Sequence, residues 1–161
     1  MREFLWALAI IFNIEGGWTE IDGGTNYGIT AATLASANRL QIVQTRDIRK
    51  LTRREAAIIY HRMYWLESEA HKYPYPLNLV IFDGAVHTGP GRAKSILHAA
   101  IRDAPSLNTR QIARQYVRER YRRLQTLGNY PKYRRGWRRR MQIIMTRVND
   151  TRPRNLQYSG P

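Results

Sequence analysis

Glu15 closes an almost continuously apolar stretch, residues 4–14, and is followed at once by Gly16-Gly17. If that stretch is a helix, Glu15 sits at its C-terminus, where the macrodipole disfavours a carboxylate by about 0.3–1 kcal/mol. Ile14 and Trp18 flank it and strip water away. Such surroundings keep a carboxylic acid protonated near neutral pH, which is what a general acid requires. Seven residues on stands Asp22, leading into Gly23-Gly24-Thr25-Asn26-Tyr27-Gly28-Ile29-Thr30. An acid and a second carboxylate facing each other across a turn is the equipment of glycosidic cleavage: one protonates the leaving oxygen, the other activates water or steadies positive charge. Asp22 is the candidate for the second role. Thr25 and Asn26 are candidates to position the water, and Gly28 with its neighbouring glycines lets backbone approach a sugar closely. Tyr27, and further on Tyr64 and Trp65, offer ring faces to a sugar, although aromatics at helical spacing also serve as core.

These residues need a frame, and the sequence reads as helical almost throughout. A first helix spans residues 3–14, ended by the glycine pair. The turn-rich segment 15–30 holds a loop or at most a short β-hairpin. Thr30 caps a helix reaching about Leu40. Thr52 with Glu55 three residues later forms a capping box that starts a helix running to about Trp65. Its Ala56, Ile59, Tyr60 and Met63 share one face, expected to be core. After Pro74 and Pro76 comes an apolar helix over residues 77–86, then a Gly89-Pro90-Gly91 break and a helix to Arg102. Asn108 or Thr109 caps an Arg-rich helix ending near Gly128, and a last helix covers residues 136–148. Asp83 lies inside an apolar helix and must be paired there, with Arg92 as the expected partner.

The expectation is thus an all-α (mainly α) single domain over 1–161. Residues 1–76 form its catalytic part, 77–148 a helical part that is strongly basic from 105, and 149–161 a tail. The 43% apolar fraction suits a globular chain and excludes a disordered one. No cysteine is present, which excludes disulfides and thiolate metal sites. His61, His71, His87 and His98 are scattered without metal-ligand spacing, so no metal or other cofactor is expected. The eleven residues 4–14, apolar except Asn13, are too few to span a bilayer, and no small-x-small cleavage site follows them; a buried helix is expected rather than an export signal.

Charge divides the chain unevenly. Residues 1–104 carry 12 Lys/Arg against 10 Asp/Glu, residues 105–161 carry 15 against 2, and the total is +15. A cationic third of this kind attracts polyanions such as nucleic acid, anionic lipid or bacterial envelope polymers.

The segment Glu15-Gly16-Gly17-Trp18, continued by Asp22 to Thr30, resembles the signature of glycoside hydrolase family 108, the muramidases of phage endolysins and bacterial secretion-associated lysozymes. Phe82-Asp83-Gly84-Ala85-Val86-His87-Thr88-Gly89-Pro90-Gly91-Arg92-Ala93 resembles the peptidoglycan-binding region that accompanies that domain. Weaker agreement is found at Thr52, Glu55-Ala56, Ile59-Tyr60, Tyr64-Trp65 and Gly136-Trp137 with Arg139 and Arg140. The resemblance implies a lysozyme-like helical domain and places the catalytic glutamate on Glu15. It also implies cleavage of the β-1,4 link between N-acetylmuramic acid and N-acetylglucosamine. His87 stands where the family often has asparagine, which suggests a hydrogen-bonding position near substrate. Arg134, Arg135, Arg138, Arg139 and Arg140 are the expected contacts to wall anions or outer-membrane lipid. The implied enzyme is a monomer made in the cytoplasm without a cleavable signal and acting at the cell wall. The stretch between the two Gly-Gly pairs is shorter than is usual in the family, so Glu20 rivals Asp22; with neither in reach, Glu15 alone would act, as in lytic transglycosylases.

A reading from another class starts from Arg118, Arg120, Arg122, Arg123 and Arg134 to Arg140 interleaved with Tyr116, Tyr121, Tyr130, Tyr133 and Trp137. Basic stripes with aromatics suit phosphate contact and base stacking, hence a nucleic-acid-binding module without catalysis. That reading leaves residues 15–30 unexplained.

Overall fold

The computed structural model describes residues 1–15, 24–102 and 106–151, which are mainly α-helical with one two-stranded antiparallel sheet. The chain divides into two compact units, Met1–Glu67 and Ser68–Arg154.

The first unit begins with α1 (Arg2–Glu15), whose Phe4, Ala7, Leu8 and Ile11 recur at helical spacing and are buried. Strands β1 (Thr25–Asn26) and β2 (Ile29–Thr30) pair antiparallel, with Thr25 opposite Thr30 and Asn26 opposite Ile29. Thr30 ends the hairpin and caps α2 (Ala31–Arg39), its hydroxyl accepting from the Thr33 N–H at 3.1 Å. A 3-10 turn, Ile48–Lys50, precedes α3 (Arg53–Ile59). The capping box forms as expected: Thr52 Oγ1 accepts from Glu55 N–H, and Glu55 Oε2 accepts from Thr52 N–H. From Tyr60 to Leu66 the same helix continues as a π-helix, a change of winding that the sequence did not announce. Ala56, Ile59 and Tyr60 are buried as expected, but Met63 is half-exposed. No helix among the described residues is long and apolar enough to cross a membrane.

In the second unit α4 (Leu77–Thr88) is buried at nine successive residues, Leu77 to Ala85. A helix apolar all round belongs at the centre of a core. Gly89 ends it at φ +89°, and α5 (Pro90–Arg102) follows immediately. α6 (Thr109–Gln125) starts at Asn108, which forms a capping box with Gln111. α7 (Tyr130–Asn149) begins six residues earlier than the sequence suggested. Pro131 lies in its first turn, where proline is pre-organised, so the helix runs on through Gly136 instead of starting there.

The buried Asp83 is paired with Arg120 and Arg140, not with Arg92, which is exposed. Arg120 Nη1 donates to Asp83 Oδ2, and Arg140 Nε donates to Oδ1 at 2.9 Å. Burial alone would push the Asp83 carboxyl up, but the two guanidiniums outweigh it and hold the group below the usual carboxylate range. Gly84 is required beside it, because a Cβ there would lie 2.0 Å from the Tyr116 hydroxyl oxygen.

Candidate active site

Glu15 is the last residue of α1 and is half-buried. Its side chain lies against the turn of the β-hairpin. Both central residues of that turn have positive φ, Tyr27 at 52° and Gly28 at 75°, the signature of a two-residue type I′ turn. A Cβ on Gly28 would stand 2.6 Å from Glu15 Cβ, 2.9 Å from its Cγ and 2.7 Å from Tyr60 Oη. Only glycine satisfies both the dihedral and this closeness. The backbone of the turn is therefore the surface on which the glutamate rests.

Two side-chain bonds fix the hairpin. Tyr60 Oη donates to the Tyr27 carbonyl at 3.1 Å. Asn26 Nδ2 donates to the carbonyls of Ile48 and Leu51, each at 3.2 Å. Asn26 was expected to orient a water; its amide hydrogens are instead committed to holding the strand against the 3-10 turn. Thr25, on the same strand, is half-buried.

The π-helix supplies the next layer. Tyr60 and Tyr64 have ring centroids 5.6 Å apart. Tyr64 ionises above its usual range: burial is the main cause, a hydrogen bond with Thr33 opposes it, and the negative charge of Glu15 adds to it. Tyr64 thus lies within electrostatic reach of the glutamate. Phe12, one turn before Glu15 on α1, meets Tyr60 edge-on at 5.7 Å and Tyr27 at 6.0 Å, while the Arg53 guanidinium lies 5.3 Å from the Phe12 ring centre. The structure brings Glu15, Tyr27, Gly28 and Tyr64 near one another. It adds Phe12 and Tyr60, which sequence reading assigned to the core; the i, i+4 spacing of Tyr60 and Tyr64 was the available signal.

Trp65 does not belong to this group. It is 5% exposed and packs edge-on against Phe4 at 5.6 Å, so it is core and offers no face to a sugar. Asp22, Glu20 and Trp18 lie outside the described residues. Among the described residues no cluster of three or more His, Asp or Glu side chains is placed to hold a metal ion.

In the second unit His87 accepts from Arg120 through Nδ1 at 2.8 Å and meets Trp137 edge-on. Burial and the charges of Arg120 and Arg140 push its pKa down to about 3, so it is a neutral acceptor in the ion-pair network. Arg140 was expected at the surface; it is 8% exposed and spent on Asp83. Arg120 is buried as well, which removes two cations from the supposed stripe. Arg134, Arg135, Arg138 and Arg139 are exposed on α7, beside the stacked rings of Tyr133 and Trp137, 5.6 Å apart at 25°.

A structure of SagA from Brucella abortus matches with a TM-score of 0.79 at 26% identity, covering 92% of this chain and 97% of that one. With it, the mainly α fold is placed in the lysozyme-like class that was expected. No curated protein matches the chain. The glycosyl hydrolase 108 family matches over residues 8–89, a span that holds Glu15, the hairpin, Tyr60 and Tyr64. This chain belongs to the glycosyl hydrolase 108 family.

Proposed function

We propose that the chain is a peptidoglycan muramidase that hydrolyses the β-1,4 link between N-acetylmuramic acid and N-acetylglucosamine, with Glu15 as general acid. The observation that carries this reading is the seat of Glu15: the end of an apolar helix, pressed against the Gly28 turn. Protonated Glu15 gives its proton to the bridging oxygen as the glycosidic bond breaks, and positive charge develops on the sugar left behind. Asp22 activates the water that completes hydrolysis, with Glu20 as its rival. Tyr27 and Tyr64 offer their ring faces to the sugar bound over Glu15. In the second unit the exposed Arg134, Arg135, Arg138 and Arg139 serve as contacts to wall anions, which makes that unit the peptidoglycan-binding region. The enzyme acts at the bacterial cell wall as an endolysin-type lysozyme, as a monomer.

The deciding experiment digests purified peptidoglycan with the wild type and with Glu15→Gln and identifies the products by mass spectrometry. Reducing N-acetylmuramic acid ends are expected from the wild type. The variant should be slower by about 10²–10⁴-fold, the usual weight of a general acid. Anhydro-muramic ends would keep Glu15 but replace water by the sugar's own hydroxyl, as in a lytic transglycosylase, and relieve Asp22 of its role. A wild type that cleaves no glycan would overturn the reading.

A further inference from the structure

Large apolar side chains are exposed at six positions among the described residues, and four of them, Met1, Leu40, Ile58 and Leu66, surround one region of the first unit. Single exposed apolar residues are ordinary, but contiguous ones mark a surface that meets something. Two concavities lie here. One, of about 450 Å³, includes Phe4, Leu5, Ala57 and Ile58 in its walls. The other, of about 600 Å³, includes Leu40, Ile42, Met63 and Leu66. They share His61 and Arg62 in their walls, so they adjoin as one grooved face that includes residues of the π-helix, whose Tyr60 and Tyr64 belong to the candidate active site.

The rim is cationic. Arg53, Arg54 and Arg62 line the groove against the one acidic residue, Glu67. Arg54 and Arg62 are exposed and form no ion pair among the described residues. Apolar side chains at the floor and edge, with guanidiniums free to reach outward on long stems, match the boundary between phosphate headgroups and acyl chains in an anionic bilayer. Most of the +15 lies in residues 105–161, so the charge that addresses this face to an anionic surface is local: Arg53, Arg54 and Arg62 against Glu67.

We propose that this groove is a docking face for an anionic lipid surface, with Leu40, Ile58 and Leu66 entering the headgroup–acyl boundary and Arg54 and Arg62 engaging lipid phosphates. This contact differs in kind from attraction to the arginines of α7, which needs no apolar insertion and is screened by salt. It does not depend on the identity of the bond that Glu15 cleaves.

The absence of cysteine permits a direct test. Ile58→Cys, Leu66→Cys and, on α7, Arg135→Cys are each labelled with a solvent-sensitive fluorophore and mixed with vesicles of phosphatidylglycerol and phosphatidylcholine, or of phosphatidylcholine alone. With the anionic vesicles the dyes at 58 and 66 should shift to the blue, and the shift should persist at 0.3 M salt. The dye at 135 should shift little and lose any shift in salt. In co-sedimentation at 0.3 M salt, Leu40→Ser with Leu66→Ser should reduce vesicle binding about tenfold while glycan cleavage and the helical circular dichroism remain unchanged. Dyes at 58 and 66 that respond to neither vesicle, or vesicle binding that the double variant leaves intact, would overturn the proposal and return the groove to a protein partner.

Discussion

Each of the two units carries a carboxylate on an apolar helix, and their surroundings differ in every respect that matters chemically. Asp83 lies in the middle of α4, fully buried, with one guanidinium on each oxygen. Its proton is gone at any ordinary pH and its position is fixed. Glu15 lies at the end of α1, half-buried, against a glycine turn and near a phenol. A carboxylate in a dry core is tolerated only with its counter-charges in place, and so becomes a structural part. A carboxylate at a helix end, beside rings and backbone, keeps room for a substrate. The neighbours, more than the residue type, separate the two roles.

The comparison is broken most forcefully at Asp83. Asp83→Asn leaves two buried guanidiniums facing a neutral amide and should cost about 3–5 kcal/mol of stability in urea unfolding. A loss under 1 kcal/mol would mean that water or other groups already satisfy the arginines. Gly28→Ala strikes the other carboxylate through its support. Both the left-handed backbone and the 2.6 Å approach to Glu15 Cβ oppose a side chain there. We expect about 1–3 kcal/mol of destabilisation, and a fall in kcat larger than any change in KM. Equal activity in the alanine variant would detach the hairpin from catalysis.

A smaller effect concerns His87, whose pKa is pushed down to about 3 from an ordinary value near 6.5. Below pH 6.5 the unfolded chain takes up this proton and the folded chain does not, so stability must fall as pH drops from about 6.5 towards 3. His87→Gln should remove about 2 kcal/mol of that dependence at pH 5. Parallel stability–pH curves for wild type and variant would show that His87 does not carry it.

How far the sequence could reveal this structure depended on range. Thr30, the Thr52–Glu55 box and Asn108 start their helices as expected, because capping is settled within four residues. The first motif placed Glu15 and Gly28 together for a similar reason: a tight hairpin brings nearby residues back upon a helix end. The partners of Asp83 lay 37 and 57 positions away, among many arginines of equal chemistry, and no local rule selects Arg120 and Arg140 from them. Trp65 looked like a sugar platform because periodicity gives its neighbours but not the side it faces; that side is Phe4 of α1. Pro131 was legible as a helix start and was passed over for the glycine that follows it.

Tyr27 holds a φ of 52° in a turn position where asparagine or glycine would rest with less strain. A non-glycine residue in that region costs roughly 1–2 kcal/mol. Tyr27→Asn should therefore raise the melting temperature, while removing a ring from beside Phe12 and slowing glycan cleavage. The hairpin tip would then be a place where thermal robustness and turnover are exchanged against each other, so that selection of the chain for heat resistance alone would be drawn to this position and would erode the enzyme there.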